Sequence, residues 1–99
     1  MELRIAQPAV EDLQTIQNYY KEQDVPQIGD DYVAAILEHC EMLQLHPDAG
    51  RVVPEFNLDH IRELIHAPFR VVYLRQAKEV VIIRVWRSER PLELPAKET

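Results

Sequence analysis

Four arginines stand at successive structural landmarks in the second half of this chain: Arg51 after a Pro-x-x-Gly turn, Arg62 and Arg70 on two short apolar segments, and Arg90 just past a third. Arg84 and Arg87 add to them within the run VVIIRVWRSER. A guanidinium is permanently charged and presents five N–H donors in a planar fork that matches carboxylate and phosphate. So dense a series on a small β-region points to a surface that handles anions. Other chemistries are poorly supplied. Cys40 is the only cysteine and has no motif partner, and Ser88 lies in no nucleophile-elbow context. His39 and His46 are seven apart, too far for an i, i+4 metal pair, and no Cys/His cluster exists. With Gly29 and Gly50 as the only glycines, a Gly-rich phosphate loop is excluded, and no cofactor is expected.

The segments that must carry these residues follow from periodicity. Residues 2–6 form a strand candidate with Leu3 and Ile5 alternating. Pro8 fits the first turn of a helix, where a missing N–H costs nothing. Leu13, Ile16, Tyr19 and Tyr20 give that helix one apolar face. KEQDVPQIG breaks it through Pro26 and Gly29, and a second helix is expected from about Ile28 to Leu45. Pro47 and Gly50 stop it. Segments 61–66, 69–75 and 79–87 read as three strands rich in Ile, Val and Tyr, joined by Ala67-Pro68 and Gln76-Ala77-Lys78. Joints that short demand antiparallel neighbours. The expectation is one α+β domain over residues 1–99, in the order β-α-α-β-β-β, with a helical hairpin on one face of a small, mainly antiparallel sheet.

Strict alternation then assigns faces. Val81, Ile83 and Val85 are expected under the helices, and Ile82, Arg84 and Trp86 on the outer face. Arg62, Leu64 and His66 are expected to share that outer face with Arg70. Two accounts stay open for it. It is either a solvated face with ion pairs to Glu63, Glu79 or Glu89, or a partner-covered surface, which the mixture with Trp86, Leu64 and Ile82 suits. Arg62 and Arg70 on neighbouring strands would repel unless a carboxylate, Glu55 or a partner's, bridged them.

Composition bounds the class. Hydrophobic residues make up 46% and charged residues 28% of 99, an ordinary single-domain globular balance. No apolar run approaches the roughly 18–20 residues that span a bilayer. No export signal is read at the N-terminus, and a lone cysteine fits a reducing cytoplasm. The net charge of −6 conceals an asymmetry. Residues 1–48 hold ten acids against Arg4 and Lys21, a balance of −8, whereas residues 49–99 hold seven acids against nine bases, a balance of +2. The first half repels nucleic acid, so direct sequence-specific nucleic-acid binding is not expected. The second half can accept an acidic partner.

The ordered set Ala9, Asp12, Leu13, Ile16, Tyr19; Leu43, Pro47, Gly50, Arg51; Val53-Pro54-Glu55; Ile61-Arg62-Glu63-Leu64; Phe69-Arg70-Val71-Val72-Tyr73; and a closing strand leading to Arg90 resembles the RelE/ParE superfamily of toxins from type II toxin–antitoxin modules over nearly the whole chain. The resemblance implies neutralisation by a cognate antitoxin, and a role such as plasmid stabilisation. RelE-like members are similar to ribosome-dependent mRNA endoribonucleases, which need a general base and acid beside cationic stabilisers. ParE-like members look like the same fold without those groups and act on DNA gyrase. By resemblance Glu55 matches a base position and Arg70 a phosphate-contacting arginine. A histidine is common where this chain has Arg87, followed by a proton donor where it has Ser88, and arginine, with a pKa above about 12, is no proton donor near neutrality.

The ParE-like, gyrase-directed reading is therefore expected, with an antitoxin segment that is acidic with apolar anchors and contacts Arg51, Arg62, Leu64, Arg70, Arg84, Trp86, Arg87 and Arg90. The alternatives are a nuclease using Glu55, Arg62, Arg70 and Arg87, with His66 as the rescue candidate, or an inactive antitoxin-binding relative.

Overall fold

Pro8 and Pro26 each sit in the first turn of a helix, and between them they set the N-terminal half of the molecule. The computed structural model describes residues 1–88. Strand β1 (Glu2–Ile5) leads into helix α1 (Gln7–Glu22), and helix α2 (Pro26–Glu41) continues into a 3-10 turn over Met42–Gln44. Strands β2 (Arg51–Val52), β3 (Ile61–His66), β4 (Phe69–Arg75) and β5 (Glu79–Arg87) complete the chain. The sheet order is β1-β5-β4-β3-β2, with β1 parallel to β5 and every other neighbour antiparallel. This is the expected α+β arrangement, with β2 as an unforeseen short edge strand.

The first helix breaks within KEQDVPQIG as expected, between Glu22 and Pro26, but Pro26 opens α2 and Gly29 lies inside it. Proline is tolerated in the first turn because that N–H has no intrahelical acceptor. Gly29 is buried where the helices cross, and a Cβ there would lie 3.1 Å from Tyr20 Cβ and 3.2 Å from Gln17 Cα. The reversal between the helices instead falls at Asp24, whose φ of 66° is left-handed, a conformation Asp tolerates better than most residues.

The helices cover one face of the sheet. Ala9, Leu13, Ile16, Ile36, Cys40 and Leu43 pack against Leu64, Phe69, Val71, Tyr73, Val80, Ile82 and Val85. Burial pushes the Cys40 thiol up to about 12, so this cysteine behaves as a small packed hydrophobe.

Two details of pairing overturn the face assignment. The β4–β5 register runs Val72↔Arg84 and then Tyr73↔Ile82, so Ile83 is an extra residue that shifts the alternation. Val80, Ile82 and Val85 thus face the helices, in place of Val81, Ile83 and Val85. Between β3 and β4, the two-residue link forces His66↔Phe69, hence Leu64↔Val71 and Arg62↔Tyr73. Residues paired across a ladder share a face. Leu64 and His66 therefore point toward the helices, and Glu63 and Ile65 share the far face with Arg70 and Val72.

Candidate functional site

On the far face, one strand in from the β2 edge, is a carboxylate, Glu63, whose side chain has no solvent exposure. Its position follows from β3 alternation, which sets it opposite Arg51 of β2 and Val72 of β4. Glu63 Oε2 accepts from Arg51 Nε at 2.7 Å, and Oε1 accepts from Arg70 Nε at 2.7 Å. Arg70 is itself 7% exposed, and its two terminal nitrogens donate to Glu55 at 3.2 and 3.1 Å. A charge this deeply buried is retained only when its remaining hydrogen-bonding positions are filled, and here two carboxylates fill them. The bidentate fork is the strong form of the pair. The hydrogen bond from Arg70, reinforced by the charge of Arg51, holds the Glu55 carboxyl below its usual range. Glu55 belongs to a turn closed by Phe56 N–H and Asn57 N–H donating to the Val53 carbonyl, at 3.1 and 2.8 Å.

Arg62 lies on the opposite face from Arg70, so the expected side-by-side pair does not form. The hairpin register places Arg62 across from Tyr73 instead. Its Nε donates to the Asp59 carbonyl at 3.0 Å and its Nη1 to the Gly50 carbonyl at 2.9 Å, with Asp48 at 3.8 Å. The bridging carboxylate exists, but it is Glu63 joining Arg70 to Arg51. Glu55 grips Arg70 without reaching Arg62. Leu64, expected on the binding face, is 6% exposed and packs under the helices.

The turn that delivers Arg51 is braced from within. Gly50 N–H donates to the Tyr73 hydroxyl at 2.9 Å, and that hydroxyl donates to the Pro47 carbonyl at 2.8 Å. A Cβ on Gly50 would lie 2.5 Å from the Glu63 carbonyl oxygen and 2.7 Å from the Tyr73 ring. Burial raises the Tyr73 hydroxyl above its ordinary pKa, which keeps it a donor.

The end of β5 departs further from a proton-transfer site. Trp86 pairs with Arg70 in register, on the far face as expected, and the Arg84 guanidinium stacks 4.9 Å from its ring centroid. Arg84 also forms a bidentate pair with Asp12 of α1, at 2.8 and 3.0 Å. Asp12 accepts from Val85 N–H at 2.8 Å, filling the edge of β5 where β1 has ended. Arg87 donates to the Tyr20 hydroxyl at 3.4 Å and lies 5.5 Å from the Phe69 ring. Ser88 Oγ donates to the Pro68 carbonyl at 3.0 Å. Arg90 lies outside the described residues.

His66 is not beside Arg70. Its Nδ1 is 2.9 Å from Nδ1 of His39 on α2, a contact in which one ring donates and the other accepts. Burial and the neighbouring His39 hold His66 below its ordinary pKa. Among the described residues no group of three or more His, Cys, Asp or Glu is placed to hold a metal ion.

Reasoning from sequence missed Glu63, Asp12 and Tyr73 as organisers of this surface. For Glu63 a signal was present, because the two-residue hairpin link determines which β3 residues share a face with Arg70. The pairing of Asp12 with β5 spans 72 positions and has no local signature.

The β-α-α-β-β-β frame that carries these residues recurs in known proteins. The family model described as ParE toxin of type II toxin-antitoxin system, parDE, matches residues 3–92. Among solved structures, one titled "Chromosomal ParDE TA system from P. aeruginosa" is similar at 27% identity, covering 88% of this chain and 95% of that one with a TM-score of 0.74. No curated protein matches. The chain thus belongs to the ParE toxin family of type II toxin–antitoxin systems.

Proposed function

We propose that this chain is a ParE-like toxin that inhibits DNA gyrase in the cytoplasm and is neutralised by a cognate antitoxin. The observation that carries the reading is the commitment of Glu55. A ribonuclease of the related type needs a base poised to take a ribose proton and an acid poised to return one. Glu55 is instead ionised and gripped by both terminal nitrogens of Arg70, a partner that lowers its basicity. Arg87 and Ser88 occupy the positions of the expected histidine and proton donor and are engaged with Tyr20, Phe69 and Pro68. His66, the rescue candidate, is paired with His39 on the helix side.

What such a surface offers is recognition: fixed guanidinium groups, an exposed Ile65 at 47%, and a half-buried Trp86 on one face. Arginine and tryptophan are the residues that carry binding energy at interfaces. The acidic first half opposes direct binding of RNA and is compatible with a protein target. The test is to incubate the purified chain with gyrase and supercoiled DNA, and separately with ribosomes translating a defined mRNA. Accumulation of cleaved gyrase–DNA complexes without mRNA cuts is expected. mRNA cuts that disappear in Glu55→Ala would establish the ribonuclease reading instead, and no effect in either assay would leave an inactive antitoxin-binding module.

A further inference from the structure

Glu63 orients two guanidinium groups. Arg51 and Arg70 each give Nε to one of its oxygens, and Nη2 of Arg70 also lies 2.7 Å from Glu63 Oε1, so Arg51 keeps both terminal nitrogens for another anion while Arg70 keeps Nη1 and shares Nη2. Arg70 spends its pair on Glu55. Arg51 makes no further hydrogen bond among the described residues, and its side chain is 61% exposed. Charge counting defines what the site accepts. Arg51, Arg70, Glu63 and Glu55 together are neutral, and without Glu55 the remaining three carry one positive charge, enough for one carboxylate.

Glu55 is also the replaceable member. Glu63 is buried in a strand, whereas Glu55 sits on a turn with its side chain 37% exposed. We infer that Glu55 is a built-in stand-in ligand, occupying a carboxylate-binding site formed by Arg70 and Arg51 that an acidic, apolar-flanked segment of a partner protein takes over by displacing it. The inference rests on the proposed toxin reading only for the partner's biological identity; the site is defined by the chain alone.

Three observations favour a peptide carboxylate over a nucleic-acid phosphate. The fork of Arg70 already fits a carboxylate at both terminal nitrogens. Apolar surface adjoins it: Ile65 and Trp86 are the cross-strand partners of Arg70, and Phe56, next to Glu55, is 46% exposed. The −8 balance of residues 1–48 repels a polyanion at range, while a single carboxylate in an apolar segment escapes most of that penalty.

Displacement has a quantitative signature. A site occupied by its own side chain shows an apparent affinity lowered by the fraction of time it is free. If Glu55 occupies Arg70 about nine-tenths of the time, removing it should tighten binding about 10-fold.

Trp86, the only tryptophan, reports on the site because it pairs with Arg70 in register. The experiment titrates the full chain with a capped Leu-Glu-Leu peptide amide, its Leu-Gln-Leu counterpart and inorganic phosphate, following Trp86 fluorescence. E55Q should bind the Glu peptide about 10-fold more tightly than wild type, ignore the Gln peptide, and lose the gain in E55Q/R51Q. E55D, which keeps the charge but shortens the reach, should show a smaller gain and serves if E55Q melts early. Equal affinities for wild type, E55Q and E55D would overturn the inference and make Glu55 a structural ion pair. Preference of E55Q for phosphate over the Glu peptide would overturn the choice of ligand. Neither result bears on gyrase, so this test and that of the toxin reading fail independently.

Discussion

Glu63 and Arg70 meet at 2.7 Å on the sheet face turned away from the helices, with side-chain exposures of 0% and 8%. Removing one partner of a buried pair leaves the other charged and undersolvated, at a cost of about 3–5 kcal/mol. Glu63→Ala should reach that range in urea denaturation. Arg51→Ala removes an exposed partner of the same carboxylate and should cost about 1 kcal/mol or less. Equal losses for the two variants would show that burial is not what distinguishes them.

The Tyr73 hydroxyl both accepts from Gly50 N–H and donates to the Pro47 carbonyl. Tyr73→Phe leaves those two backbone groups without their partner, and a loss of about 1–3 kcal/mol is expected. Gly50→Ala should be at least as harmful, because its Cβ would collide with the backbone of β3 rather than with a flexible tip. Thermal melts of both variants check this. A melt unchanged in Gly50→Ala would mean that the turn relaxes freely.

Ile82 is 2% exposed and faces the helices, whereas Trp86 is half-buried on the other side. Ile82→Ala should therefore cost about 2–5 kcal/mol. Trp86→Ala should cost less stability while weakening partner binding more. Identical destabilisation with binding intact in Trp86→Ala would contradict the placement of the bulge at Ile83.

His66 titrates below its ordinary value of 6.5 because burial and His39 disfavour its charged form. The unfolded chain then binds more protons below about pH 6.5, so this group's contribution to stability is complete above that pH and is lost as pH falls toward the folded value. The melting temperature should drop between pH 7.5 and 5.5, with a shallower drop in His66→Phe. Identical slopes in the two proteins would exclude the histidine pair as the source.

Element types were largely legible in the residues. The three long strands have the bounds that their Ile, Val and Tyr runs indicate, and the prolines marked both helix starts once their first-turn role was weighed over their breaking role. Faces were less legible, for physical reasons that differ by strand. In β3 the information is present in the two-residue link, which sets the register His66↔Phe69, but alternation within one strand does not use it. In β5 a single extra residue at Ile83 reversed the phase, and nothing in the run VVIIRVW marks where a bulge falls. The candidate site suffers from both: strict alternation puts Arg62 and Leu64 on the face that belongs to Glu63, and gives the buried carboxylate that organises Arg51 and Arg70 the look of a surface ion-pair partner.

The most direct measurement of the central claim is to express the chain in a bacterial host and follow DNA damage and mRNA integrity together. Induction of the DNA-damage response with intact mRNA, reversed by a gyrase variant that no longer binds the chain, is the predicted result. Codon-phased mRNA cleavage without DNA damage, abolished by Glu55→Ala, would contradict it.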